Sequence, residues 1–255
     1  MINNKKILCI IPAKAKSIGV PGKNYRNLYE EPLFMWSVYA AQQSKYIDYI
    51  YVSSNCPYVK EIFFDYLEDM AFLDEDISKI GWIQRPDELA TSSSRNEEFL
   101  LHALEILKNN NIVIPDIVIH LQPTSPIRNN NLVDKCIEKY DKGRYDSLLT
   151  GPKDTPFIWQ KIKGKWEYTV DKNGCCNRKM RQEFENTKDN SEFIWHDCGN
   201  VYITDTKILL EKKCRIGDNP YIFEVDKFQS LQIDEEDDFI LIENIAKVKK
   251  WKSLI

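Results

Sequence analysis

The sequence predicts an α/β protein organised around a doubly wound, mostly parallel sheet. Three observations predict it. Short, continuous runs of branched apolar residues recur along the first part of the chain, as strands buried on both faces require. Segments of helical length separate those runs. The runs end in small polar or basic residues, so one rim of the sheet would collect Lys14, Lys23, Ser53, Arg85 and Gln122. In open α/β sheets, ligands bind beyond the carboxyl ends of the strands.

Ile7-Leu8-Cys9-Ile10-Ile11 is the first strand, and Pro12 stops it. The loop behind it reads Ala13-Lys14-Ala15-Lys16-Ser17-Ile18-Gly19-Val20-Pro21-Gly22-Lys23-Asn24. A buried strand, a basic glycine-containing loop and then a helix form a phosphate grip, because loop amides and ammonium groups converge on the anion. The plainer alternative is a solvated turn with surface lysines. Neither the Walker spacing nor G-x-G-x-x-G is present. Residues 32–41 read as a helix with Pro32 in its first turn. Residues 48–54 form a strand ending in Ser53-Ser54, residues 56–70 a helix, and residues 81–84 a strand leading to Arg85-Pro86. Residues 94–107 read as an amphipathic helix striped by Leu100, Ala103, Leu104 and Leu107, with Ser94 as cap and Glu97 three residues on. The strand at 116–121 ends in Gln122-Pro123-Thr124-Ser125-Pro126; a helix at 132–140 and a strand at 146–150 follow.

The pattern changes after Gly151-Pro152. Residues 157–170 read as a hairpin around Lys163-Gly164-Lys165, residues 173–190 are polar, and short strands follow at 192–195 and 200–203. A strand at 222–225 and a helix at 236–251 close the chain. The division this suggests is a core at 1–151, an inserted arm at 152–198, and a completion of the core at 199–255. Trp159, Trp166 and Trp195 either face a partner subunit or cover the sheet's own edge.

At 255 residues and 43% hydrophobic content, the chain can bury a large core. A net charge of -4 offers no general field for nucleic acid. The basic N-terminus precedes only five apolar residues before Pro12, too few for a signal peptide or membrane span. The seven cysteines are odd in number and include no C-x-x-C, which fits reduced thiols and a soluble, cytoplasmic protein. His102, His120 and His196 are scattered without metal spacing.

Six segments in order resemble the acylneuraminate cytidylyltransferases, or CMP-sialic acid synthetases. The first loop is similar to that family's I-P-A-R-x-x-S-K-G-x-x-x-K-N. Val52-Ser53-Ser54-Asn55 resembles V-S-T-D, and Arg85-Pro86-Asp87-Glu88-Leu89-Ala90 resembles R-P-x-x-L-A. Leu121-Gln122-Pro123-Thr124-Ser125-Pro126-Ile127-Arg128 resembles L-Q-P-T-S-P-L-R, the most specific match. Gly199-Asn200-Val201-Tyr202-Ile203 resembles N-G-x-I-Y-I, and Ser230-Leu231-Gln232-Ile233-Asp234 resembles S-x-D-I-D. The resemblance implies a Rossmann-like nucleotidyltransferase that joins CTP to an acidic 2-keto sugar with Mg2+, releases pyrophosphate, and dimerises through the arm.

It also implies roles. Lys14 and Lys23 would hold the triphosphate, with Ser17 and the Gly19 amide as neutral donors and Asn24 reaching the ribose or phosphates. Arg85 would hydrogen-bond the cytosine, and Ser94 and Asn96 would contact the nucleotide. Gln122 and the arm's Arg181 would meet the sugar, while Arg128 reads as structural. Asp234 would anchor the metal with Gln232 beside it; Lys14, Lys23 and Asp234 carry the catalysis. The acidic run from Glu235 to Asp238 is explained by helix capping and the helix dipole. Departures fall at Lys14 (Arg in the family), Ile18 (Lys), Asn55 (Asp), Asn96 (Ser) and Gln232 (Asp). They leave open weaker metal binding, another acceptor such as a different keto acid or a phosphate, another base, or nucleotide binding without turnover.

Overall fold

The computed structural model describes residues 2–129, 131–155, 158–168, 182 and 193–249. In chain order these form β1 (Ile7–Pro12), β2 (Asn27–Leu28), β3 (Glu31–Pro32), α1 (Met35–Gln42), β4 (Tyr49–Ser54), α2 (Pro57–Phe72), β5 (Ile80–Gln84), a 3-10 turn (Asp87–Ala90) and α3 (Asn96–Asn109). Next come β6 (Ile117–His120), α4 (Leu132–Gly143), β7 (Ser147–Asp154), the hairpin β8 (Trp159–Ile162) and β9 (Lys165–Tyr168), and β10 (Ile194–Trp195). The rest is β11 (Tyr202–Asp205), α5 (Thr206–Lys212), β12 (Pro220–Val225) and α6 (Glu236–Lys249).

The main sheet runs β10-β7-β11-β6-β1-β4-β5, with β12 also paired to β7. The pairs β1–β4, β1–β6, β4–β5 and β7–β12 are parallel. Strand β11 runs antiparallel between β6 and β7, and β10 is antiparallel to the end of β7. The sheet is therefore mostly parallel with an antiparallel intrusion. Segment 152–198 leaves the sheet at the end of β7 and rejoins it at β10.

Alternation along β1 separates two cores. Ile7, Cys9 and Ile11 face α1, α2 and α4 through Phe34, Val38, Val59, Phe63, Cys136 and Ile137. Leu8 and Ile10 face α3 and α5 through Phe99, Leu100, Ala103, Leu104, Leu107 and Leu209. This is the doubly wound arrangement, produced by the period of two in a strand buried on both sides. A third core joins distant segments: Val20 of the first loop, Leu28, Leu33 and Trp36 pack with Ile233, Phe239, Ile242 and Ala246.

Several boundaries differ from the sequence reading. Pro32 does not start α1: it ends the β2–β3 hairpin, whose turn residues Tyr29 and Glu30 have φ of 60° and 106°. The pairing of Asn27 and Leu28 with Glu31 and Pro32 holds that segment away from the helix. Helix α3 begins at Asn96, capped at Arg95, whose N–H donates to Glu98 Oε2 at 3.1 Å. Ser94 is instead taken up in a turn, where its hydroxyl donates to the Glu88 carbonyl at 3.0 Å and accepts from Thr91 N–H at 3.1 Å. Helix α5 was not expected. Asp205 caps it, accepting from Lys207 N–H at 2.8 Å, and 7 residues are too few to show a helical period. Among the described residues, no helix is long and apolar enough to cross a membrane.

Candidate active site

An open cleft of about 320 Å³ lies beyond the carboxyl ends of β1, β5 and β6. Its walls include Lys14, Ser17, Ile18, Gly19, Lys23, Asn24, Arg85, Ser94, Asn96, Phe99, Gln122 and Asp234. A second cavity, between α1 and α4, holds only about 40 Å³ and is too small for a nucleotide.

The first loop is fixed at both ends. Ala13 N–H donates to the Ser53 carbonyl at 2.9 Å, and Ala15 N–H to Asn55 Oδ1 at 2.9 Å. Asn24 Nδ2 closes the loop on the Lys14 carbonyl at 2.8 Å. Asn55 Nδ2 also donates to Asp87 Oδ1 at 2.7 Å, a contact that the family's aspartate could not make without setting two carboxylates together. Lys16 is exposed and off the cleft wall; Ile18 is 87% exposed at the mouth.

The loop then meets the chain more than 200 residues later. Lys23 Nζ, only 9% exposed, donates to the Ile233 carbonyl at 2.6 Å. Burial lowers the Lys23 pKa, and the nearby Asp234 charge partly offsets it. Gly19 makes the approach possible, since a Cβ there would sit 1.9 Å from the Asp234 carbonyl oxygen. Ile233 N–H is in turn bonded to the Thr124 carbonyl at 2.8 Å. Three segments far apart in the chain therefore meet around Lys23 and Asp234.

Lys14 Nζ reaches across the cleft to the Thr91 carbonyl at 3.2 Å. Arg85 is 3% exposed. Its Nε donates to Ser53 Oγ at 3.1 Å, its Nη2 to the Ser53 carbonyl at 2.7 Å, and its guanidinium lies 4.4 Å from the centre of the Phe99 ring. Burial pulls its pKa down to about 10, and among the described residues no carboxylate pairs with it. A cation buried without a counter-charge on a cleft wall is set to receive an acceptor-rich ligand.

Of the predicted residues, the structure brings Lys14, Ser17, Gly19, Lys23, Asn24, Arg85, Ser94, Asn96, Gln122 and Asp234 to this one cleft. Gln232 is not on its wall; its amide donates to the Asp197 carbonyl at 3.3 Å. Arg181 lies outside the described residues. Arg128 donates to three neutral oxygens of the fold, as its structural reading expects. Phe99, Thr91 and Thr124 were not singled out in the sequence. Phe99 looks like any other core position of α3, and the other two act here through main-chain carbonyls that carry no sequence signal.

The Asp234 carboxylate makes no hydrogen bond among the described residues and lines the cleft with two lysines. That suits a hard cation. Among the described residues, no cluster of three or more metal-ligating side chains exists.

The chain was also compared with known proteins. The chain is 26% identical over 250 residues to the N-acylneuraminate cytidylyltransferase of Escherichia coli O18:K1:H7, covering 98% of this chain and 54% of that one. It therefore spans about half the length of the first curated relatives it matches. It is 25% identical to the CMP-N,N'-diacetyllegionaminic acid synthase of Legionella pneumophila, covering 96% of this chain and 98% of that one. In structure it is similar to a CMP:2-keto-3-deoxy-manno-octonic acid synthetase complexed with CTP, with a TM-score of 0.65, 14% identity, and coverage of 96% and 99%. Residues 8–197 match the cytidylyltransferase family, and the chain belongs to it.

Proposed function

We propose that this protein transfers CMP from CTP to an acidic 2-keto sugar, a nonulosonate similar to sialic acid, for cell-surface glycan synthesis. The observation that carries this reading is the convergence of Lys14, Lys23 and Asp234 on the cleft that holds the buried Arg85, which has no carboxylate partner among the described residues. A hydroxyl oxygen of the sugar attacks the α-phosphorus, the bond to the bridging oxygen breaks, pyrophosphate leaves, and the hydroxyl proton passes to water. Negative charge spreads over the phosphate oxygens as this happens, so the chain's work is positioning and neutralisation. Lys14 and Lys23 supply fixed positive charge. Lys23 is already desolvated and oriented by the Ile233 carbonyl, so little reorganisation is needed. Arg85 offers donors to the cytosine O2 and N3, and Gln122 offers its amide to the sugar. Asp234 would hold a magnesium ion, which neutralises phosphate charge when bound. Residues 152–198 are proposed as a dimerisation arm carrying Arg181 to the sugar carboxylate, in a cytoplasmic homodimer.

A second reading, nucleotide binding without turnover, is favoured by Ile18 and Gln232, neither of which supplies charge to the cleft. One experiment separates the two. Pyrophosphate release is measured with CTP and N-acetylneuraminic, N,N'-diacetyllegionaminic or 2-keto-3-deoxy-manno-octonic acid, with and without Mg2+. Release with at least one acid, lost on omitting Mg2+ and insensitive to Mg2+ in Asp234→Ala, supports transfer. Calorimetric binding of CTP with no release from any acid supports the second reading.

A further inference from the structure

Gln122 is held from two sides. On one, its carbonyl accepts from Arg128 Nη2 at 2.8 Å and from Ser125 N–H at 3.1 Å. The same guanidinium donates from Nε to the Asn200 carbonyl at 3.0 Å and from Nη1 to Ser37 Oγ at 3.1 Å. One planar fork thus ties the end of β6 to the start of β11 and to α1. Among the described residues no carboxylate pairs with it, so its donors serve only to fix neutral oxygens in place. On the other side stands Gly199, at φ +70°, where a Cβ would lie 2.1 Å from Gln122 Oε1 and 2.9 Å from Ser125 Oγ. Ser125 Oγ anchors that loop by donating to the Cys198 carbonyl at 2.6 Å.

We propose that Arg128 and Gly199 are positioning residues which set the place of the Gln122 amide, and through it the enzyme's discrimination among acidic acceptors. The inference rests on the CMP-transfer reading. Arg128 controls where the Gln122 backbone leaves the sheet. Gly199 controls how far its side chain can fall back from the cleft. A displacement of about 1 Å at such a contact is enough to lose most of a well-aimed hydrogen bond.

The test is steady-state kinetics of Arg128→Lys, Gly199→Ala and Gln122→Ala, with CTP and whichever of the three acids the wild-type protein turns over fastest, alongside thermal unfolding. Arg128→Lys keeps the charge and loses the fork, so its KM for the acid should rise about tenfold while its KM for CTP stays within about twofold. Gly199→Ala should shift the same parameter in the same direction, and the ranking of the three acids should change in both. A merely structural role would lower the unfolding temperature and the folded fraction without separating the two KM values, which would overturn the proposal. If Gln122→Ala raises the acid's KM but the other two variants do not, the positioning role alone is wrong. If Gln122→Ala is silent, or no acid is turned over, the acceptor reading fails and takes this inference with it.

Discussion

Lys23 shows how one side chain serves fold and site together. Its ammonium is bonded to the Ile233 carbonyl at 2.6 Å, and burial disfavours its charge, so the group is held where a phosphate oxygen would be its best remaining partner. Removing it in Lys23→Met leaves the Ile233 carbonyl without that donor. We expect turnover to fall by about 10²–10³, as for loss of a preorganised electrostatic donor, and stability to fall by about 1–2 kcal/mol. Pyrophosphate release and urea unfolding check the two effects separately; an unchanged rate in a folded variant would remove Lys23 from the site. The site's charge was legible residue by residue because Lys14, Lys23, Arg85 and Asp234 each stand at the end of an apolar run or beside a recognisable motif. Their partners were not. The carbonyls of Ile233, Thr91 and Ser53 accept from three of these residues, and any residue type supplies a carbonyl.

At the scale of elements, the decisive piece is α6 rather than the helices of the two large cores. Its Phe239, Ile242 and Ala246 pack on Val20, Leu28, Leu33 and Trp36, which clamps the segment bearing Asp234 onto the first loop. The Phe239 ring, 1% exposed, also lies 4.1 Å from the Arg26 guanidinium. Phe239→Ala should therefore cost about 3–5 kcal/mol, and where the protein stays folded it should weaken CTP binding. Leu104→Ala, at a comparable site in the α3 core, should cost stability without that loss of affinity while the protein stays folded. Urea titration and calorimetry distinguish the two; equal CTP affinity in both variants would show that α6 does not hold the site. The parallel strands and the stripe of α3 were readable because burial on one face or two writes a period into the sequence. The hairpin at Pro32 and the short α5 were not. A two-residue strand and a seven-residue helix are too brief to carry a period, and local pairing and capping decide them. The antiparallel direction of β11 was equally hidden, since an apolar run reads the same in either sense.

At the scale of the molecule, the sheet's centre buries a histidine that no hydrogen bond among the described residues satisfies, and this couples stability to pH. His120 is 1% exposed, and among the described residues neither ring nitrogen has a partner. It stacks on Tyr202 at 5.3 Å and meets Phe99 edge-on at 5.4 Å. Desolvation first, then the charges of Arg215, Arg85 and Arg128, push its pKa well below the ordinary histidine value. The sign follows from linkage. The folded state keeps the imidazole neutral, whereas the unfolded chain takes up a proton near pH 6.5, so below that pH the unfolded state binds more protons. The stability tied to neutral His120 is present above about pH 6.5 and is lost as pH falls toward the depressed folded value, by up to about 1.4 kcal/mol per pH unit for the one proton. His120→Phe keeps a flat ring between Tyr202 and Phe99 and removes the titration. Urea unfolding at pH 7.5 and 5.5 should show wild-type stability falling by about 1 kcal/mol more than that of the variant. Parallel losses in the two proteins would take the acid sensitivity away from His120 and leave it to another group such as His102, whose pKa burial also lowers; Asp146 and Asp154, with pKa values below the ordinary carboxylate value, protonate only at more acidic pH.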